Sequence, residues 1–266
     1  MMIEPKVSIA AYSFHKLLSE KMIDVYGYME SLRYRYHLHY ADIWSGYLLD
    51  MDPNDLKKVR QALDERDLTL VSLCCDGAHA WSSDPDYEKI LDANAEKYLV
   101  AAEILGAKTV RMDVGVQEED ISEAQFEVVY NKFTSHAKRG ADAGFIFGPE
   151  NHWGASRKLS FQKRLYQEIN LPSYGILLHL GNWDLEDGQT KDGNDVAAAS
   201  MAVHTHVDYE HAFTAETWLP ELLDAGYRGV LSVEHHKEIS EYQGTQAQLG
   251  ALQYAIRKVF KGEGNP

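Results

Sequence analysis

The sequence predicts an α/β fold, a single (β/α)8 barrel occupying residues 1–266 as one domain. Three observations carry this. Eight short apolar, β-rich runs recur along the chain, beginning at residues 7, 40, 69, 109, 145, 175, 202 and 229. A strand with its crossover helix takes about 30 residues, and these starts lie 27 to 40 apart. The intervals carry helical periodicity, and several close at a glycine suited to capping a helix C-terminus. The competing arrangement is an open doubly wound sheet. No glycine-rich phosphate loop follows the first run, which weighs against it.

The strands are read as Val7–Ala11, Tyr40–Trp44, Thr69–Cys74, Thr109–Val114, Phe145–Gly148, Gly175–His179, Ala202–Val207 and Gly229–Val233. Between the second and third, Asp55-Leu56-x-x-Val59-x-x-Ala62-Leu63 has the three-and-four spacing of an amphipathic helix. Helices from Tyr87 to Leu105, Phe126 to Ala143 and Thr217 to Ala225 stop at Gly106, Gly144 and Gly226. The stretch Tyr34–Tyr40 reads as a helix end and strand entry. The polar segment Trp183–Asn194, with Gly188 and Gly193, reads as a long loop after strand six. In a barrel, the loops after the strands build the active site.

Composition narrows the function. Apolar residues make up 45% and charged residues 25%, which excludes a disordered chain or a collagen-like fibre. The net charge of −15, with no Lys/Arg cluster, repels phosphate backbones, so no nucleic-acid partner is expected. No apolar run approaches the roughly 18 residues of a membrane span, so no membrane partner is expected either. Met1-Met2-Ile3-Glu4-Pro5 does not read as a secretory signal. Cys74 and Cys75 are adjacent and face opposite ways on a strand, so they are expected as reduced thiols packed in the core of a cytoplasmic protein.

Chemistry concentrates at the ends of the later strands. Strand five runs into Glu150-Asn151-His152, strand six into His179 and Asn182, strand seven into His204, His206 and Asp208, and strand eight into Glu234 and His236. Alternate residues of an extended chain share a face. Four consecutive strands therefore end in Glu, His, His and Glu, with His204 and His206 sharing a face on the seventh. Imidazole and carboxylate are the ligands of divalent metal sites. Neighbouring strand ends offer Trp44, Asp113, Asn182, His204, Asp208 and His236 as substrate-binding residues. Asp42, Asp76, His79 and Arg111 are weaker candidates for lining the same pocket.

The segments Gly148-Pro-Glu-Asn-His-Trp-Gly-Ala-Ser156, Leu178-His-Leu-Gly-Asn-Trp183, Val203-His-Thr-His-Val207 and Gly226-Tyr-Arg-Gly-Val-Leu-Ser-Val-Glu-His-His236 carry a resemblance. The chain resembles the sugar phosphate isomerase/epimerase group of the xylose isomerase-like TIM barrels, related to endonuclease IV. The resemblance implies a divalent ion held by Glu150, His179, His206 and Glu234. Three positions depart from the family pattern. His179 stands where the family usually has Asp, which makes the site softer and favours Mn²⁺, Zn²⁺, Co²⁺ or Fe²⁺ over Mg²⁺. After His206 the chain reads Val207-Asp208-Tyr209 rather than the common x-Lys-Asp, so a usual anion contact is missing. The arginine that ketohexose 3-epimerases carry shortly afterwards is also absent from Tyr209–Phe213.

The expected function is that of a metal-dependent isomerase or epimerase of a sugar, keto-sugar or related polyhydroxy carbonyl compound, acting by α-proton abstraction and an enediolate. Glu150, Glu234 and His152 are the candidate acid–base residues. The alternative is a lyase sharing that first step, either an inosose dehydratase-like enzyme or one eliminating from a 3-keto-glycoside, with His204, His211 and His236 as further proton donors. An endonuclease IV-like phosphodiesterase is the remote alternative. Its multi-metal centre asks for more ligands than these. The sequence leaves open whether the chain forms a homo-oligomer.

Overall fold

A computed structural model of the chain describes residues 4–49, 51–237 and 239–261. The eight strands are β1 (Lys6–Ile9), β2 (Tyr40–Trp44), β3 (Thr69–Cys75), β4 (Thr109–Met112), β5 (Ile146–Gly148), β6 (Ile176–His179), β7 (Ala202–Val207) and β8 (Val230–Val233). The helices α1 (His15–Ser19) and α2 (Val25–Glu30) lie between β1 and β2. They are followed by α3 (Pro53–Glu65), α4 (Pro85–Leu105), α5 (Glu123–Ala143) and α6 (Leu159–Ile169), one after each successive strand. The helix α7 (Lys191–Ala198) precedes β7, α8 (Tyr209–Phe213) and α9 (Ala215–Asp224) precede β8, and α10 (Glu241–Lys261) closes the series.

Local sequence starts and stops the helices. Asp52 accepts from the Asn54 and Asp55 amides ahead of Pro53, whose fixed φ suits a first helical position. Asp84 and Pro85 repeat this at α4. Ser122 and Gln125 form a reciprocal capping box at α5. Gly106 and Gly144 end α4 and α5 in the left-handed conformation that glycine adopts without strain.

All strand pairs are parallel, in the orders β1-β8-β7-β6 and β2-β3-β4-β5. Two seams join these sheets into the (β/α)8 barrel. At the first, Ala10 bridges Asp42, and the buried Tyr28 hydroxyl donates to Ile9 O (2.6 Å) while accepting from the Asp42 amide (2.9 Å). At the second, Gly175 N donates to Phe147 O and Leu177 N to Pro149 O. A Cβ on Gly148 would lie 1.6 Å from Gly175 O, so this close approach requires glycine.

Three expectations change. β4 stops at Met112 rather than Val114 because the carbonyls of Asp113 and Val114 accept from Ala80 and Trp81 in the loop after β3. β1 stops at Ile9, and residues 11–14 turn into a short 3-10 segment. The segment expected as loop through Asn194 becomes helical at Lys191, because the Thr190 side chain caps the Gly193 amide. Among the described residues, no helix is long and apolar enough to cross a membrane.

The helical layer carries one acid-sensitive group. His136 of α5 packs edge-on against Phe147, ring centroids 5.0 Å apart, and burial holds its pKa down at about 4. The unfolded chain therefore binds this proton more readily. The stability it contributes is full above about pH 6.5 and is lost as pH falls toward about 4. Urea midpoints are expected to fall less between pH 7 and pH 5 in His136→Phe than in the wild type. An identical fall would remove His136 from the acid response.

Candidate metal centre

At the carboxyl end of the barrel a cavity of about 150 Å³ opens between the strand ends. Its floor holds Glu150, His179, His206 and Glu234. Glu150 Oε1 lies 3.0 Å from His179 Nδ1 and 3.4 Å from His206 Nδ1. Glu234 Oε2 lies 3.7 Å from His179 Nδ1 and 3.5 Å from His206 Nδ1. Ligand atoms of Glu150, His179 and His206 lie within 4.8 Å of one another, and Glu234 Oε2 approaches the same two imidazoles. Ligand atoms around a shared ion stand about this close together, since metal–ligand bonds are only about 2.0–2.3 Å.

The residues present fit a divalent ion. His206 Nδ1 is buried and has no hydrogen-bond partner, although it points between two carboxylates. Burial alone would lower the proton affinity of His206, but Glu234, Glu150 and Asp42 raise it well above the ordinary imidazole value. Such a field stabilises positive charge at Nδ1, and a metal ion would displace the proton there. The carboxylates answer in kind. Burial would raise Glu234, yet His206, His236 and His179 bring it down to about 2, and Glu150 is likewise held well below the usual range.

The chain builds this floor with buried polar clamps. Asn151, fully buried, accepts from the His179 amide (2.7 Å) and donates to the carbonyls of His179 and Asn182, fixing the end of β6 against the loop after β5. Arg111, 5% exposed, sets its Nε 3.2 Å from Glu150 Oε2, and its Nη1 reaches Asp76 (2.8 Å) and Asp113 (3.1 Å). A buried guanidinium needs such partners. Three carboxylates therefore neutralise the one arginine on the cavity wall.

The sequence pattern of the xylose isomerase-like TIM barrel family matches residues 36–255. The chain belongs to this family. Solved structures of the same fold include a 3-keto-D-glucoside 4-epimerase from E. coli (14% identity, TM-score 0.67, covering 87% of this chain and 94% of that one). A D-allulose 3-epimerase from Methylomonas sp. aligns at 15% identity and TM-score 0.71, over 97% and 99% of the two chains. A xylose isomerase-like TIM barrel protein from Mycobacterium smegmatis, in complex with magnesium, aligns at 13% identity and TM-score 0.66, over 89% and 91%. No curated protein sequence matches the chain.

Within this family framework, the other expected residues fall into two groups. Three line the cavity. His152 sits half-buried with Nδ1 3.1 Å from Asp113 Oδ2. His236 places Nε2 3.0 Å from Glu234 Oε2. Trp44 donates Nε1–H to Asp76 Oδ2 at 2.6 Å. Four expected substrate contacts do not line it. His204 has no exposed surface and hydrogen-bonds Asp42 beneath the floor. Asp113 is buried behind Arg111 and His152. Asn182 spends its amide on the carbonyls of Asn151 and His152. Asp208 caps α8, accepting from the His211 amide and ring, both at 2.8 Å.

Two further residues reach the wall. Tyr12, just past β1, stacks on His15 and meets the rings of Trp44 and His236 at 4.9 and 5.2 Å. Cys74, expected as core packing, reaches the cavity with its thiol 3.5 Å from Asp42 Oδ1. The signal for Tyr12 was its place directly after a barrel strand, where loops form the site. Of the weaker candidates, Asp76, Arg111 and Asp42 reach the cavity, whereas His79 packs edge-on against Trp153.

Proposed function

We propose that the protein is a single-domain, divalent-metal-dependent isomerase or epimerase of a free sugar or keto-sugar. The observation that carries this is the convergence of Glu150, His179, His206 and Glu234 around the unpartnered His206 Nδ1. The likeness in fold to sugar epimerases supports the substrate class. When bound, the ion would act as a Lewis acid on the substrate carbonyl and acidify the neighbouring C–H. The mixed nitrogen and oxygen donors favour Mn²⁺, Zn²⁺, Co²⁺ or Fe²⁺.

The protein's own groups divide the proton work. Glu150 Oε2 is held by Arg111, so Glu150 is chiefly an anchor. Glu234 accepts from His236 at Oε2, and among the described residues nothing hydrogen-bonds its other oxygen, which leaves Glu234 Oε1 for a substrate proton. His152, oriented through Nδ1 by Asp113, keeps Nε2 for the cavity. These two groups come from β8 and β5. Two bases on different strands suit removal of a proton and its return elsewhere, the requirement of epimerisation or isomerisation. Of the proton donors the lyase alternative calls on, His204 is sealed below the floor and His211 is engaged by Asp208, whereas His236 faces the cavity. Arg111 is already neutralised by three carboxylates, so it is not free to hold a phosphate, which favours an uncharged polyol carbonyl substrate.

The test is incubation of Mn²⁺-loaded protein with free keto-sugars in D₂O, followed by NMR. A substrate is expected to acquire solvent deuterium at the carbon next to its carbonyl. Turnover without any such exchange, as in simple hydrolysis, would refute the reading.

A further inference from the structure

Against the cavity floor lies a buried cluster whose Asp42 and His204 no metal-binding or proton-transfer role yet absorbs. Asp42, 1% exposed at the end of β2, points across the barrel interior to β7. Its Oδ2 accepts from His204 Nε2 (2.8 Å) and His206 Nε2 (3.1 Å). Its Oδ1 accepts the thiol of Cys74 at 3.5 Å. The two imidazoles stand nearly perpendicular, at 82°, with centroids 5.6 Å apart, so both can present an N–H to one oxygen.

This geometry decides which nitrogen of His206 is a ligand. A neutral imidazole has one N–H and one lone pair. With the proton on Nε2 it donates to Asp42. With the proton on Nδ1, a bare Nε2 lone pair would face a carboxylate oxygen. Asp42 therefore selects the Nε2–H form, and the lone pair falls on Nδ1, the atom that points unpartnered between Glu150 and Glu234. Such outer partners fix ring orientation and raise ligand basicity. Asp42 in turn needs support, because a buried carboxylate is costly without donors. His204 supplies one on the same oxygen, which accounts for a fully buried histidine two residues before a ligand.

We infer that Asp42 is the positioning residue of the metal centre, directing His206 Nδ1 at the ion, and that His204 holds Asp42 in place. This rests on the metal reading proposed above. It adds that a strand far from the four ligand strands sets the strength of the site.

Co²⁺ is the probe, titrated into metal-free full-length protein and read by calorimetry and by its visible absorption bands. Wild type is expected to bind one equivalent. Asp42→Ala is expected to bind roughly 10- to 100-fold more weakly, the usual cost of losing such a partner, with shifted bands. Asp42→Asn keeps an oxygen where Oδ2 stands and is expected to recover part of the affinity and most of the spectrum. His204→Gln is expected to weaken binding less than Asp42→Ala. Asp42→Ala binding as tightly as wild type, with the same spectrum, would overturn the assignment and leave the metal reading intact. Wild type taking up no Co²⁺ would overturn both. If Asp42→Ala does not fold, Asp42→Asn decides: binding weaker than wild type supports the assignment, and wild-type affinity refutes it.

Discussion

Glu234→Gln is expected to reduce α-proton exchange by about 10⁴-fold, the upper end of a general acid–base contribution. The proposed function gives the carboxylate two roles at one position. Its Oε2 faces His179 and His206 and takes a hydrogen bond from His236, and its other oxygen is left for substrate. The amide preserves volume, so the barrel is expected to keep its fold, which the melting temperature reports. Metal loss and loss of the proton carrier are separated by repeating the assay with Mn²⁺ raised until bound metal equals the wild-type level. A deficit that disappears once the metal is restored would reduce Glu234 to a ligand. Exchange within tenfold of wild type at every Mn²⁺ concentration would remove it from the site altogether.

His152→Gln is expected to lose about 10²-fold in exchange while keeping its metal. The side chain lies outside the set of four converging ligand atoms. Asp113 holds its Nδ1 and leaves Nε2 toward the cavity, the base-and-orienter arrangement of acid–base sites. Gln can still reach Asp113 but cannot take up a proton near neutrality. Elemental analysis alongside deuterium exchange makes the comparison. Unchanged exchange would assign the whole proton transfer to the carboxylates, and metal lost with activity would make His152 part of the ion's support.

The barrel was legible because its signals are local. The run Ala202–Val207 has the same bounds in sequence and structure, and so does Tyr40–Trp44. The glycines closing α4 and α5 act on their own turns. Where expectation failed at β4, a distant group intervened; at α7 a local cap did. The end of β4 depended on amides from the loop after β3, which compete for its carbonyls. The start of α7 depended on Thr190, read as one more polar loop residue.

The site divides in the same way. The ligand types at the ends of strands five to eight are fixed by the residues themselves, and alternation on a strand fixes which of them share a face. The strand ends offered Glu150, His179, His204 or His206, and Glu234, and only the family resemblance singled out His206 as the ligand expected on β7. Sequence could not rank the remaining polar residues, because whether His204 meets a substrate or a carboxylate depends on what stands across the barrel. That neighbour, Asp42, is 162 residues away in the chain. Closure of the two sheets alone brings β2 opposite β7, buries Asp42 with His204, and turns a histidine that looked like a pocket residue into structural support. Asn182, Asp208 and Asp113 were redirected likewise, each by a partner that offered a hydrogen bond closer than the cavity. Sequence determined the chemistry available at the strand ends. Tertiary structure decided which groups face the cavity, because a buried polar side chain must find its partner wherever the fold places one.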